Sequence, residues 1–436
     1  MNFEKVNSIR EVFTYIERFK GSLFVLKIED AVISHPLFPR LMKDIVQMHH
    51  TGIKVILVPG TRNTIESNLK YFGVNTAFHN NIRLTSEEAL PFVKLAASEV
   101  SNTLITQLAA NGAQGLVGNW VKAHSLGVLK GVDYARTGKV MHIRSDIVSK
   151  LLAEDFIPII PNIGWNDVGR TYNISSNQVA AQICIDLKAS KLFYIGEQQG
   201  LVAQGLNLDD DININDQGII ANLSITQAQS ILDQNDDIPF AQKDYLIHSI
   251  KACHNGVKRV HLVSALIEGA VVQEVFSSVG GGTMVYTNEY EHIRNATLSD
   301  VPEILTLMDT FIDSEALVPR TQRDVQESIE NYHVYEVDGV LHGCAALQSR
   351  SDDTVELCAV AVDKSAQSSG VGRKMVGSLI QKASEMKFAK IYLLTTQAED
   401  WFLSLGFRTV SMEDLPPDGQ AKYIPERGSK ILMKSL

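Results

Sequence analysis

Short apolar runs alternate with amphipathic stretches along the first two-thirds of the chain. Leu23 to Ile28 (LFVLKI) and Val55 to Val58 (VILV) are strand-length runs bounded by polar residues or glycine. Between them, Leu37, Leu41, Ile45 and Met48 fall at helical spacing within His35 to Thr51. A strand, a helix and a second strand in this order predict a right-handed parallel crossover. Further strands are expected at Phe156 to Ile160, Lys191 to Ile195 and Arg259 to Val263, with helical patterns between them. Near-continuous apolar strands separated by helices predict an α/β sheet covered on both faces.

The pattern changes after Gly280-Gly281-Gly282, because three glycines fit neither a helix interior nor a central strand. From Ile293 a different rhythm follows. It comprises a strand, two helices (Val301 to Ile312 and Thr321 to Ile329) and strands at Tyr332 to Glu336, Leu341 to Leu347 and Val355 to Val362. The Asp338-Gly339 pair between the first two of those three is a hairpin signal. Two domains are expected, 1–286 and 291–436.

The chain has 436 residues, 45% of them hydrophobic and 21% charged, so each domain can bury a core of ordinary size. A net charge of -10 without a basic run speaks against nucleic acid as a partner. The N-terminus lacks a signal-peptide core, and no run reaches membrane-span length, so a cytoplasmic protein with no membrane partner is expected. The four cysteines are scattered and form no CxxC pair, which fits a reduced compartment; no metal site is expected.

Candidate chemistry concentrates in Val355 to Ile380 (VELCAVAVDKSAQSSGVGRKMVGSLI). An apolar strand leads through a Q-x-x-G-x-G turn, made by Gln367, Gly370 and Gly372, into an amphipathic helix. Glycines allow a ligand to approach the backbone, and the unpaired N–H groups of a helix start suit a pyrophosphate. By itself, such a turn also fits a plain helix start.

The segment resembles motif A of the GNAT superfamily of acyl-CoA N-acyltransferases. The strand Ile391 to Leu394, the pair Thr395-Thr396, the helix bearing Trp401-Phe402 and the closing Leu405-Gly406-Phe407 resemble the superfamily's second half. GTMVY (282–286), EHIRNAT (291–297), LVPRT (317–321), GCAAL (343–347), ELCAVAV (356–362) and RGSKILMK (427–434) narrow the likeness to bacterial N-acetylglutamate synthases. The resemblance implies acetyl transfer from the cosubstrate acetyl-CoA to the α-amino group of L-glutamate, the first step of arginine biosynthesis. It also implies a homo-oligomer, a hexamer in that family.

The same likeness assigns residues. Cys358, Ala359, Val360, Ala361 and Val362 on the strand, with Gln367, Ser368, Ser369, Gly370, Val371, Gly372 and Arg373 in the turn, are expected to hold the coenzyme. Glu356 is the candidate general base, although its side-chain pattern alone fits an exposed edge-strand glutamate. Thr395 and Tyr423 are alternative proton donors to the leaving thiolate. Leu317, Arg320, Cys358, Arg427 and Ser429 are the candidate acceptor-binding residues, since two carboxylates call for cationic partners.

The first domain resembles the amino acid kinase fold, an α/β/α sandwich. Active members carry a glycine pair after the first-strand lysine; here Lys27 is followed by Ile28, Glu29 and Asp30. The second glycine-rich turn reads Pro59-Gly60-Thr61-Arg62, and Asn177 stands where a catalytic aspartate is expected. These departures predict no phosphoryl transfer. Arg83 and Thr85 match the former substrate loop. The resemblance instead implies an L-arginine effector site framed by Tyr15, Glu274, Gly280 and Gly282.

Overall fold

The computed structural model describes residues 12–13, 15–209, 212–276, 281–287, 291–312, 314–337, 340–350, 353–363, 367 and 370–436. The chain divides into two compact units, Met1–Asn288 and Glu289–Leu436.

The first unit is built on an eight-stranded sheet. In chain order its strands are β1 (Leu23–Ile28), β2 (Lys54–Pro59), β3 (Gly115–Val117), β4 (Ile157–Ile159), β5 (Lys191–Gly196), β6 (Asn222–Ser224), β7 (Arg259–Ser264) and β8 (Thr283–Tyr286). Across the sheet they lie in the order β6-β8-β7-β5-β1-β2-β4-β3. All neighbours are parallel except β7 and β8. Phe24, Val25, Leu26 and Ile28 of β1 are fully buried. That burial explains the unbroken apolar runs, since helices cover both faces.

The expected first helix is shorter than its apolar spacing suggested. It runs over Phe38–His50 (α1), with Pro39 in its first turn, where a missing N–H costs no helical bond. A second, four-stranded sheet (Val121–Ser125, Gly138–Ile143, Ile163–Trp165, Thr171–Asn173) had no counterpart in the sequence reading. Its strands are short and carry polar residues, so no apolar run marks them. Helices α2 (Leu90–Ala110), α3 (Ser176–Leu187), α4 (Phe240–His254) and α5 (Ala270–Phe276) complete the part of the unit relevant below. Gly282 has a packing reason to be glycine: a Cβ there would sit 2.0 Å from the Leu262 carbonyl oxygen of β7.

The second unit holds a seven-stranded sheet: β9 (Glu291–Asn295), β10 (Tyr332–Val337), β11 (Val340–Ser349), β12 (Thr354–Val362), β13 (Lys390–Thr395), β14 (Arg408–Thr409) and β15 (Lys430–Ser435). Their order is β9-β10-β11-β12-β13-β15-β14. Strands β9 to β12 pair antiparallel in chain order, and β12 and β13 are parallel. The Asp338-Gly339 turn lies outside the described residues, but the strands flanking it pair antiparallel, Val337 opposite Val340. Helix α6 (Val301–Ile312) and helix α7 (Val371–Glu385) cover opposite faces. Val355 and Leu357 pack with Met375 and Leu379 of α7, whereas Ala359 and Ala361 pack with Ile304 and Met308 of α6. The second helix expected before β10 is shorter, Gln322–Glu327, followed by a 3₁₀ turn at Ile329–Asn331.

Candidate active site

The centre of the second unit is a parallel pair that stops pairing early. The β12–β13 ladder runs through Thr354–Lys390 and Val355–Ile391 and ends at Glu356–Tyr392, though both strands continue. A bulge coincides with this point. The β11–β12 register shifts between Cys344 and Ala346, and Ala359 takes a left-handed φ of 53°. Cys358 and Ala359 therefore both belong to the α6 face, where strict alternation would separate them. The bulge bends β12 away from β13 and leaves strand edge without a sheet partner.

A cleft of about 500 Å³ fills the gap. One wall is Leu357, Cys358, Ala359, Val360 and Val362 of β12, and the other is Leu393, Leu394 and Thr395 of β13. Gln367, Gly370, Gly372 and Arg373 close one end; Phe311, Ala316 and Leu317 line it after α6. Gly370 caps α7 with a φ of 75°, a conformation that favours glycine. Gly372 also packs closely: a Cβ there would lie 3.2 Å from the Trp401 ring, which would have to give by a few tenths of an ångström. Gln367 donates to the Val362 carbonyl at 3.0 Å and ties the turn to the strand. Val371 and Ala361 are buried in the adjoining cores and do not line the cleft. Ser368 and Ser369 lie outside the described residues.

Glu356 is not the edge-strand residue its pattern allowed. Strand β12 is interior, and the Glu356 side chain is only 13% exposed. Arg350, at the hairpin before β12, donates from Nε to Glu356 Oε2 at 2.7 Å and from Nη2 to the same oxygen. Nη2 also reaches Gln348 Oε1 at 2.5 Å. Sequence reasoning missed Arg350, because QSRSDDT reads as a polar loop.

Thr395 is buried and lines the cleft. Its Oγ1 accepts from the Ala398 N–H at 3.0 Å, which orients the hydroxyl and leaves its own proton to be given elsewhere. Tyr423 stands differently: its hydroxyl donates to the Ser429 carbonyl at 3.1 Å, and neither residue lines the cleft. Leu317 and Cys358 are in the lining. Arg320 lies against Cys358 and donates from Nη1 to the Tyr332 hydroxyl at 2.6 Å. Burial raises the Cys358 thiol above its ordinary range, with Arg320 opposing the rise. A thiol held protonated is a poor nucleophile. Arg427 donates to the Glu315 carbonyl at 2.7 Å, to which the Thr396 hydroxyl also donates at 3.2 Å. The loop carrying Leu317 is thus held from two sides.

In the first unit, the expected effector residues meet a buried polar cluster. Tyr15 is buried and stacks on Phe19, and Lys191 lies 4.4 Å from the Phe19 ring centroid. Glu274 Oε1 lies 2.7 Å from His261 Nδ1, and Oε2 accepts from the Gly281 N–H at 2.9 Å. Burial pushes His261 down to about 4, so its ring is neutral. Since a carboxylate only accepts, the ring proton sits on Nδ1. Nε2 is then a buried acceptor without a hydrogen-bond partner among the described residues. Burial also holds Lys191 well below the usual lysine range, with Arg259 adding to the effect. Gly280 lies outside the described residues. Lys191, Arg259 and His261 were not foreseen as site residues; they looked like ordinary strand positions.

A separate cleft of about 540 Å³ lies at Lys27, Glu29, Asp30, Arg62 and Asn177. Lys27 pairs with Glu29, which also accepts from the Tyr245 hydroxyl. Burial would raise the Glu29 carboxyl, but Lys27 and the Tyr245 hydroxyl together outweigh it and hold the group below its ordinary range. Asn177 donates to Asp244 at 2.6 Å. Arg83 pairs with Glu66, and Thr85 belongs to a buried Thr137–Asn173 network, so both carry structural loads. Among the described residues, no group of three or more His, Cys, Asp or Glu could hold a metal ion, and no helix is long and apolar enough to cross a membrane.

Comparison with known proteins places these features in context. The amino acid kinase family profile matches residues 22–264, and the acetyltransferase (GNAT) family profile matches residues 298–407. An amino-acid acetyltransferase from Actinobacillus pleuropneumoniae is 31% identical over 444 residues, spanning 100% of this chain and 99% of the relative. The N-acetylglutamate synthase from Neisseria gonorrhoeae, solved with coenzyme A and L-arginine, is 25% identical with a TM-score of 0.84 and full coverage of both chains. The same enzyme with coenzyme A and N-acetyl-glutamate is 26% identical over full coverage, with a TM-score of 0.63.

Proposed function

We infer that this chain, which belongs to the amino-acid acetyltransferase family, transfers the acetyl group of acetyl-CoA to the α-amino nitrogen of L-glutamate. The observation that carries this reading is the gap between β12 and β13, ending at the amides of the α7 N-terminus. An extended pantetheine can lie along β12 as an added strand would, with the pyrophosphate at Gly370 to Arg373. The thioester carbonyl then meets the strand amides around the Ala359 bulge, which stabilise the oxyanion.

Glu356 takes a proton from the acceptor's ammonium group, through a water where it does not reach directly. The neutral amine attacks the thioester carbon, and the tetrahedral intermediate expels the thiolate. Thr395 passes a proton to that thiolate and regains one from the nitrogen of the collapsing intermediate, which sheds its second proton as the amide forms. Of the two candidate donors it is the one in the cleft wall, whereas Tyr423 is committed to Ser429. Arg320 and Arg427 bind the two carboxylates of glutamate, with Leu317, Cys358 and Ser429 shaping their surroundings.

Coenzyme placement can be tested at Gly370. A Gly370→Glu protein is expected to bind acetyl-CoA about tenfold or more weakly, a loss of about 1.4 kcal/mol or more by calorimetry. Gly370→Asn, which tolerates the left-handed backbone, is expected to lose less. Wild-type affinity in a folded Gly370→Glu protein would move the coenzyme elsewhere.

The kinase-like unit performs no phosphoryl transfer. Lys27 is neutralised by Glu29, and Asn177 supplies an amide rather than a charge. Incubation with ATP and N-acetylglutamate is expected to give no acyl phosphate in a hydroxylamine trap; a hydroxamate product would contradict this.

L-Arginine binds the first unit and inhibits the enzyme. The ionised Glu274 and the acceptor Nε2 of neutral His261 suit a guanidinium, and Tyr15 closes the apolar side. Inhibition requires a coupling free energy between the two sites, typically about 1–3 kcal/mol. Glu274→Gln is expected to weaken arginine binding by roughly ten- to a hundredfold, as loss of a charged hydrogen bond does. Calorimetry showing no heat from millimolar arginine on the wild-type protein would end this assignment.

A further inference from the structure

The Arg350–Glu356 pair has a geometry that a simple surface ion pair lacks. Both side chains are largely buried, 12% and 13% exposed. Arg350 donates twice, from Nε and Nη2, and both bonds end on Oε2 of Glu356. Oε1 is left as the oxygen that can take a proton. The guanidinium is itself fixed: Nη2 also holds Gln348 Oε1 at 2.5 Å, and Gln348 pairs with Glu356 across β11 and β12. The Arg350 amide donates to the Thr354 carbonyl at 3.1 Å, which anchors the hairpin to the base of β12. Glu356 is the last residue of β12 in ladder with β13, so the pair stands where the two strands begin to separate.

We propose that Arg350 is a positioning residue for acetyl transfer. It locks the Glu356 carboxylate by one oxygen and leaves the other to meet the amine or its relay water, one residue before the cleft wall that begins at Leu357. The proposal rests on the reading of Glu356 as the base.

The physical reason is orientation. A glutamate side chain has three rotatable bonds, and a base must lie within hydrogen-bond reach of the proton it removes. A fixed fork that grips one oxygen removes the rotamer freedom and leaves the second oxygen with a set direction, which is what arginine's planar donors supply and a flexible ammonium does less well. Displacements of about 1 Å in a reacting group can cost on the order of a hundredfold in rate. Neither nitrogen in the fork needs to touch glutamate or the coenzyme for this effect.

The test is a double-mutant cycle on the full-length protein. It follows kcat, the KM for glutamate and acetyl-CoA affinity in Arg350→Gln, Glu356→Gln and the double variant. Arg350→Gln is expected to lower kcat by roughly ten- to a hundredfold, with KM for glutamate and acetyl-CoA affinity near wild type. Arg350→Lys is expected to recover part of the loss. In the Glu356→Gln background, Arg350→Gln is expected to add little, because the two residues act as one unit. Undiminished kcat in Glu356→Gln would remove the base itself. A large loss in Glu356→Gln with unchanged kcat in Arg350→Gln would overturn the positioning role alone. A raised KM with unchanged kcat would make Arg350 a substrate contact instead. An Arg350→Gln loss that multiplies fully with that of Glu356→Gln would also contradict the proposal.

Discussion

Glu356→Gln is expected to reduce kcat by about 10²–10⁴-fold, the range typical of a removed general base. The substitution keeps side-chain volume and the strand, since Glu356 occupies an interior position between Gln348 of β11 and Tyr392 of β13. A glutamine oxygen can still accept from Arg350, so the local fold is expected to persist. What disappears is a group able to accept a proton from the ammonium of the acceptor. The cleft that receives the coenzyme is walled by residues from Leu357 onward, and acetyl-CoA affinity is therefore expected to stay near wild type. Steady-state thiol release, with calorimetry for acetyl-CoA, separates these two quantities. A Glu356→Gln protein with wild-type kcat would show that another group, or solvent, takes the proton.

Arg320→Ala and Arg427→Ala are expected each to lower kcat/KM for glutamate by roughly ten- to a hundredfold, corresponding to about 1.5–3 kcal/mol for a charge-assisted bond. Their settings differ. Arg320 is half-buried, stacked 5.7 Å from the Tyr332 ring centroid and bonded to its hydroxyl. Its removal leaves a buried phenol without that partner, so a small loss of stability accompanies the loss of affinity. Arg427 holds the Glu315 carbonyl, and with Thr396 it fixes the loop that carries Leu317 into the cleft. Arg427→Ala is therefore expected to affect the shape of the acceptor side as well as its charge. Acetyl-CoA affinity should change little in either variant. Glutamate kinetics equal to wild type in both would mean that other residues hold the carboxylates.

Much of the scaffold was legible along the chain, and the reasons are local. Strand β1 matches its apolar run residue for residue, because Ser22 and Glu29 end that run on both sides. Helix α7 starts directly after Gly370, where glycine permits the left-handed cap. The bulge was not legible. An alanine with a φ of 53° looks like any other strand alanine, and only the register against β11 shows it. The Arg350 clamp was hidden for a related reason: its partner lies six positions away across a hairpin, and neither composition nor periodicity links them. In the first unit, Lys191 and Arg259 open apolar strands and read as ordinary strand positions. They are buried because β5 and β7 are central, a fact that belongs to sheet order rather than to either strand. Tyr423 illustrates a converse limit, since the sequence left it level with Thr395 and the structure engages its hydroxyl with Ser429.

The most direct test of the account is coenzyme A release from acetyl-CoA by the purified full-length protein, measured against a panel of amino acids with product identification by mass spectrometry. L-Glutamate is expected to stimulate thiol release above all other members of the panel and to yield N-acetyl-L-glutamate in equal amount. Thiol release stimulated by a different amino acid, with none from glutamate, would contradict it.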